Sequence, residues 1–140
     1  MAAVLTLMLA FAQVAAVTFA TVTRGQNSGV TDMREVTVKT AAEWEALWTA
    51  HRGGERPSVD FTKNQVAGVF LGTRPTGGYS VEIVTVRREA TGIVIEYVER
   101  TPAPDALVTQ ALTSPFHLVT LERVEPVRFS RISPPPPSRN

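Results

Sequence analysis

The sequence predicts a mainly β fold (α+β at most), an antiparallel β-sandwich or open barrel of about six or seven strands with one inserted amphipathic helix. Three observations lead there. Short runs rich in Val, Ile and Thr recur along the chain. Gly, Pro, Asn and Asp clusters separate them, as turns require. One stretch, between Thr40 and Gly53, carries helical spacing with cap signals at both ends.

Taken in order, residues 34–39 alternate β-branched and charged side chains and read as the first strand. Thr40 then stands as a helix cap, with Glu43 three residues later in capping-box spacing. Trp44, Leu47, Trp48 and His51 fall at i, i+3, i+4 and i+7 and share one face. On this reading His51 sits at the helix C-terminus, where a cation suits the dipole. Gly53 and Gly54 end the helix, since glycine takes the left-handed conformation of a C′ residue.

Residues 66–71 are continuously apolar, as in a strand covered on both faces. Residues 79–86 and 92–99 read as strands joined by a short connector, an antiparallel hairpin. Residues 101–105 hold two prolines and must be loop, and residues 107–113 fit either a strand or a short helix. Residues 116–123 form a strand and residues 126–130 a short terminal one. Trp44, Trp48, Phe70, Ile83, Ile95 and Leu118 are the expected core.

Composition narrows the function classes. The 140 residues leave room for one domain. Fourteen basic against thirteen acidic residues give a net charge of +1, so no basic footprint for nucleic acid exists. The absence of cysteine excludes disulfides, thiolate metal sites, a cysteine nucleophile and a lipid-anchor cysteine. Two histidines, His51 and His117, cannot form a three-histidine zinc site. No metal and no cofactor are expected.

Residues 1–20 carry no charged side chain and read as a secretory signal or N-terminal hydrophobic segment. Small residues suited to cleavage occur at Val14-Ala15-Ala16 and at Thr18-Phe19-Ala20, although no Lys or Arg precedes the apolar run. Residues 21–32 read as a linker, residues 33–131 as the β-rich domain and residues 132–140 as an extended proline-rich tail. The chain is thus expected to be exported (periplasmic, cell-envelope or secreted), with a membrane met only through an uncleaved N-terminal segment.

Several blocks carry a more specific signal: Glu43-Trp44, Leu47-Trp48, Asp60-Phe61, Val69-Phe70-Leu71-Gly72, Arg74-Pro75-Thr76-Gly77-Gly78-Tyr79 and Gln110-Ala111-Leu112-Thr113-Ser114-Pro115-Phe116-His117. In content and order they resemble the C-terminal domain of the PrcB family, named for a subunit of a bacterial protease complex. The similarity runs from about Gly25 to about Val127. The resemblance implies a non-enzymatic protein that helps a protease complex assemble or persist. Attachment by acylation would need a cysteine that this sequence lacks.

Two segments are the candidate protein-binding site. In Pro75, Thr76, Gly77, Gly78 and Tyr79, the proline presets a turn angle and the glycines permit angles closed to other residues. Tyr79 supplies an amphipathic ring suited to an interface. The same five residues also fit a tight turn whose tyrosine packs inward at the start of its strand. The bend is similar to the Pro-Thr-Thr-Gly-aromatic turn of chagasin-type cysteine-protease inhibitors, which gives the alternative function of direct inhibition. The second segment is Thr113, Ser114, Pro115, Phe116 and His117, where the proline holds Ser114 extended. Ser114 and His117 lack the strand-turn-helix setting of a nucleophile, and the nearest acid in sequence is Glu122. The expectation is therefore a non-catalytic module that binds a protease or its complex.

Overall fold

The computed structural model describes residues 15–135, so most of the apolar N-terminal run and the end of the tail lie outside it. The elements follow in the order β1 (Phe19–Gly25), β2 (Met33–Val38), α1 (Ala41–His51), β3 (Asn64–Leu71), β4 (Ser80–Glu89), β5 (Gly92–Arg100), β6 (Phe116–Glu122) and β7 (Val127–Arg131). One sheet has the order β1-β6-β3-β2 and the other β4-β5-β7. The fold is a β-sandwich with α1 laid on the outside of the larger sheet, giving three layers.

The middle layer explains the unbroken apolar run of β3. Ala67, Val69 and Leu71 face the smaller sheet and join Ile83, Ile93, Ile95 and Tyr97. Val66 and Phe70 face the other way, toward Trp44, Leu47 and Trp48 of α1. All six expected core residues are buried. The helix keeps its predicted grammar: the Thr40 hydroxyl accepts from the Glu43 amide, and the Gly53 amide bonds the Trp48 carbonyl. Gly53 takes a positive φ of 68°.

Four expectations need correction. Residues 21–32 are not simply a linker, because Phe19–Gly25 forms edge strand β1 against β6. Thr21, Val22 and Thr23 supply the β-branched character, and their polar neighbours suit an edge half open to water. The sandwich is not wholly antiparallel, since β7 runs parallel to β5. The connector expected at residues 87–91 is shorter, as β4 continues to Glu89. Its charges face solvent and pair with neighbouring strands: Arg87 with Glu96, Arg88 with Glu122, and Glu89 with Arg128. Residues 107–112 adopt neither strand nor helix. Leu107 and Leu112 have no face to bury against and stand exposed.

The hairpin turn is fixed by one glycine. Gly92 has φ of 151°, and a Cβ there would lie 2.2 Å from the Pro126 carbonyl oxygen. The clash is with backbone, so no rotamer change relieves it. Gly92→Ala is expected to lower unfolding free energy by about 2 kcal/mol or more. Thr91→Ala, one residue earlier and exposed, should stay within about 0.5 kcal/mol, as read by urea denaturation.

Candidate functional site

The bend between β3 and β4 does not stand free of the framework. At its base Arg74 and Thr113 exchange two backbone bonds, of 2.8 and 3.0 Å. Arg74 also donates to the Leu71 carbonyl and to Glu99, a carboxylate only 8% exposed that Arg131 grips from the other side. At its tip the Gly77 amide donates to the Thr109 carbonyl at 2.9 Å, and the Thr113 hydroxyl donates to the Thr76 carbonyl at 2.8 Å. Gly78 has φ of 89°, and a Cβ would sit 2.8 Å from Pro102 and 2.9 Å from Val108. The 75–79 bend and the 101–112 loop thus form one packed unit.

Within it, Pro75 and Gly78 are exposed, Thr76 and Tyr79 half-buried and Gly77 buried. Tyr79 precedes β4 rather than opening it. Its ring is neither a core residue nor a fully displayed anchor, so each of the two sequence readings holds only in part.

The second predicted segment lies inside. Thr113, Ser114, Pro115, Phe116 and His117 are all buried, and they cannot meet a partner without opening the fold. The physical reason is pairing on every side. Ser114 exchanges backbone bonds with Gln26 and Ser28, the Pro115 carbonyl accepts from the Leu71 amide, and Phe116 packs beside His51 with ring centroids 4.3 Å apart. Among the predicted site residues only those of the bend reach the surface.

His117 has a different task from the one its spacing to Ser114 suggests. It lies on β6, in the larger sheet. Its Nδ1 accepts the Ile83 amide of β4 at 2.9 Å, and its Nε2 therefore carries the proton and donates to Thr21 Oγ1 of β1, also at 2.9 Å. One neutral ring joins both sheets, and neither nitrogen is left to take a proton from a hydroxyl. Burial, aided by the nearby Arg24 guanidinium, pushes its pKa down to about 4.

A serine–histidine pair does occur, but elsewhere. The Val30 amide donates to Ser28 Oγ, so Ser28 donates to His51 Nδ1 at 2.8 Å. His51 is 2% exposed among Trp48, Phe70 and Phe116, and burial lowers its pKa. It is a neutral core residue, not the helix-end cation expected from sequence. Ser28 lies in the stretch read as linker, so nothing in the pattern marked the pair. Asp60 caps its own turn, accepting from both the amide and the hydroxyl of Thr62. Among the described residues no group of three or more His, Asp or Glu is arranged to hold a metal, and no helix is long and apolar enough to cross a membrane.

What the sequence did not reveal is a concentration of exposed apolar side chains. Among the described residues the large ones are Met33 (47%), Leu107 (103%) and Leu112 (71%). All three sit at the bend end of the sandwich. Met33 opposes Leu71 at the top of β3, Leu112 adjoins the Arg74–Thr113 bridge, and Leu107 rides on the loop that holds Gly77.

Fold and surface define a small β-sandwich module with an apolar, loop-built end. Residues 66–122 match the protein-family model described as PrcB C-terminal. The match runs from β3 through the bend, the hairpin and the 101–112 loop to β6, and it agrees with the resemblance read from the sequence. It is narrower than that resemblance, because α1 lies outside it. No curated protein and no solved structure matches the chain.

His117 yields a pH dependence. Its folded pKa lies below the unfolded value near 6.5, so the unfolded chain binds more protons between the two. Stability is complete above that unfolded value and is lost as pH falls toward the folded one. Between about pH 7.5 and about pH 5 the loss due to this group is about 2 kcal/mol. Urea denaturation at both pH values should show a shallower dependence for His117→Leu than for the parent.

Proposed function

We propose that this chain is a non-catalytic, exported protein-binding module that assists the assembly or stability of a protease complex, and that it docks through its bend end. The observation that carries the reading is the gathering of Met33, Leu107 and Leu112 at the end built from the 75–79 bend and the 101–112 loop. Isolated exposed apolar residues are ordinary, but several at one end of a small domain mark a contact surface. The family match covers both loops, and its name points to a protease subunit. Both His117 nitrogens are committed to hydrogen bonds, which favours a role without catalysis.

Direct inhibition is the second reading, and the packing of the bend supports it less. A wedge for a protease cleft needs to project, whereas Gly77 and Gly78 are backed by Thr109, Pro102 and Val108.

The tagged chain is expected to copurify from its own cell envelope with a protease activity. Leu107→Glu with Leu112→Glu should abolish that recovery while changing stability by no more than about 0.5 kcal/mol per site, because both side chains are exposed. Recovery of the parent without any protease would refute the reading. Titration against papain-like and serine proteases should give no inhibition. Stoichiometric inhibition would transfer the assignment to the second reading.

A further inference from the structure

Strands β1 and β2 bound the larger sheet, and β4 and β7 the smaller. Three of these edges are blunted. On β4 the Val81 carbonyl accepts from Arg24 Nε, the Ile83 amide donates to His117 Nδ1 and the Val86 carbonyl accepts from the Val17 amide. The ladder of β1 breaks between Thr21 and Thr23. Strand β7 has five residues and lies between Pro126 and Pro134. Such devices keep other chains from adding a strand. Strand β2 has neither break nor proline, and it pairs evenly from Met33↔Leu71 to Val38↔Val66. Its open side follows from β3. The Leu71 amide donates to the Pro115 carbonyl, toward β6, so Phe70, Gly68 and Val66 turn their backbone groups to β2. Arg34, Val36 and Val38 answer them. Glu35 and Thr37 therefore point their amides and carbonyls outward, and among the described residues nothing bonds these groups.

We propose that β2 pairs antiparallel with β2 of a second copy of this chain, with Thr37 on the two-fold axis. Charge selects both the occupant and the register. Glu35-Val36-Thr37-Val38-Lys39 carries opposite charges at equal spacing about Thr37. Antiparallel self-pairing sets Glu35 opposite Lys39 of the second copy, and Val36 opposite Val38 of the second copy. The backbone agrees, since Thr37 meets its own copy and both turn their bonding groups outward. A shift that set Glu35 against its own copy would oppose like charges instead. Both charged groups are available. Glu35 uses one oxygen to accept from the Tyr97 hydroxyl. Lys39 reaches Glu125 in a surface pair that is exchanged at little cost. Val36, already packed against the cluster under α1, gains a cross-strand apolar neighbour. This pairing is independent of the docking role proposed above.

Light scattering during size exclusion of the full chain, at rising concentration, tests this. A dimer is expected. Thr37→Pro removes one outward amide and leaves the bonds of Val36 and Val38 to β3 in place. It should raise the dimer dissociation constant at least about tenfold and leave urea unfolding of the domain little changed. The chain has no cysteine, so single cysteines report the register. Oxidised alone, Thr37→Cys should link two copies. Glu35→Cys alone should not, because its copy lies about 14 Å away along the strand, beyond disulfide reach. Glu35→Cys chains mixed with Lys39→Cys chains should link. A monomer at every concentration overturns the proposal, as does a dimer that survives Thr37→Pro unweakened. Linkage of Glu35→Cys to itself, without linkage of Thr37→Cys, overturns the register.

Discussion

The sandwich depends on a hydrogen-bonded imidazole placed where the two sheets approach. His117 is 3% exposed and bonded at both nitrogens. An apolar residue there would fill the space but leave the Ile83 amide buried without an acceptor. A charged imidazole would lose the acceptor and gain a desolvation penalty. Only the neutral ring, in one tautomer, suits the position. It links β6, β4 and β1, and the elements that carry the bend hang from the first two. The orientation of the apolar end thus rests on a bond several residues away from it.

The surface of the smaller sheet shows a second device. Val94 and Val98 alternate with the inward Ile93, Ile95 and Tyr97, so they point outward, yet they are 0% and 1% exposed. Val94 lies between Arg87 and Arg128 in the register, and Val98 beside Glu82. Glu82 in turn pairs with Arg24 and Arg100. Long charged side chains lie over the valines with their stems and hold one another by their heads. Each such pair adds little stability by itself. Together they cover the apolar side chains of this face, and among the described residues the large apolar side chains that stand exposed are those of the bend end.

Much of the architecture was legible because local rules and tertiary context agree. Thr40, the tryptophan face and Gly53 define α1 by capping and periodicity alone. The continuous run of β3 announced a strand covered on both sides. The failures share a cause as well: each depended on a partner distant in sequence. β1 looked like linker because its threonines declare themselves only against β6. The Thr113–His117 stretch looked like surface because its polar residues are satisfied by Gln26, Ser28, Ile83 and Thr21, all far upstream. Of the two glycines of the bend only Gly78 takes the positive φ that the sequence reading gave to both, and the loop that backs them is irregular and leaves no periodic trace. Leu107 and Leu112 read as apolar, and nothing local distinguishes an apolar residue that is displayed from one that is covered.

The register places the start of the described chain far from the bend. Ala15 meets Arg88, near the Glu89–Gly92 turn, and the Arg88–Glu122 pair fixes this as the end where β6 finishes. The bend joins the opposite tips of β3 and β4. The ten residues of β4 measure about 33 Å along their length. Ala15 is therefore separated from Leu107 and Leu112 by the full height of the sandwich. The sandwich therefore acts as a spacer, with its first described residue and its exposed leucines at opposite ends.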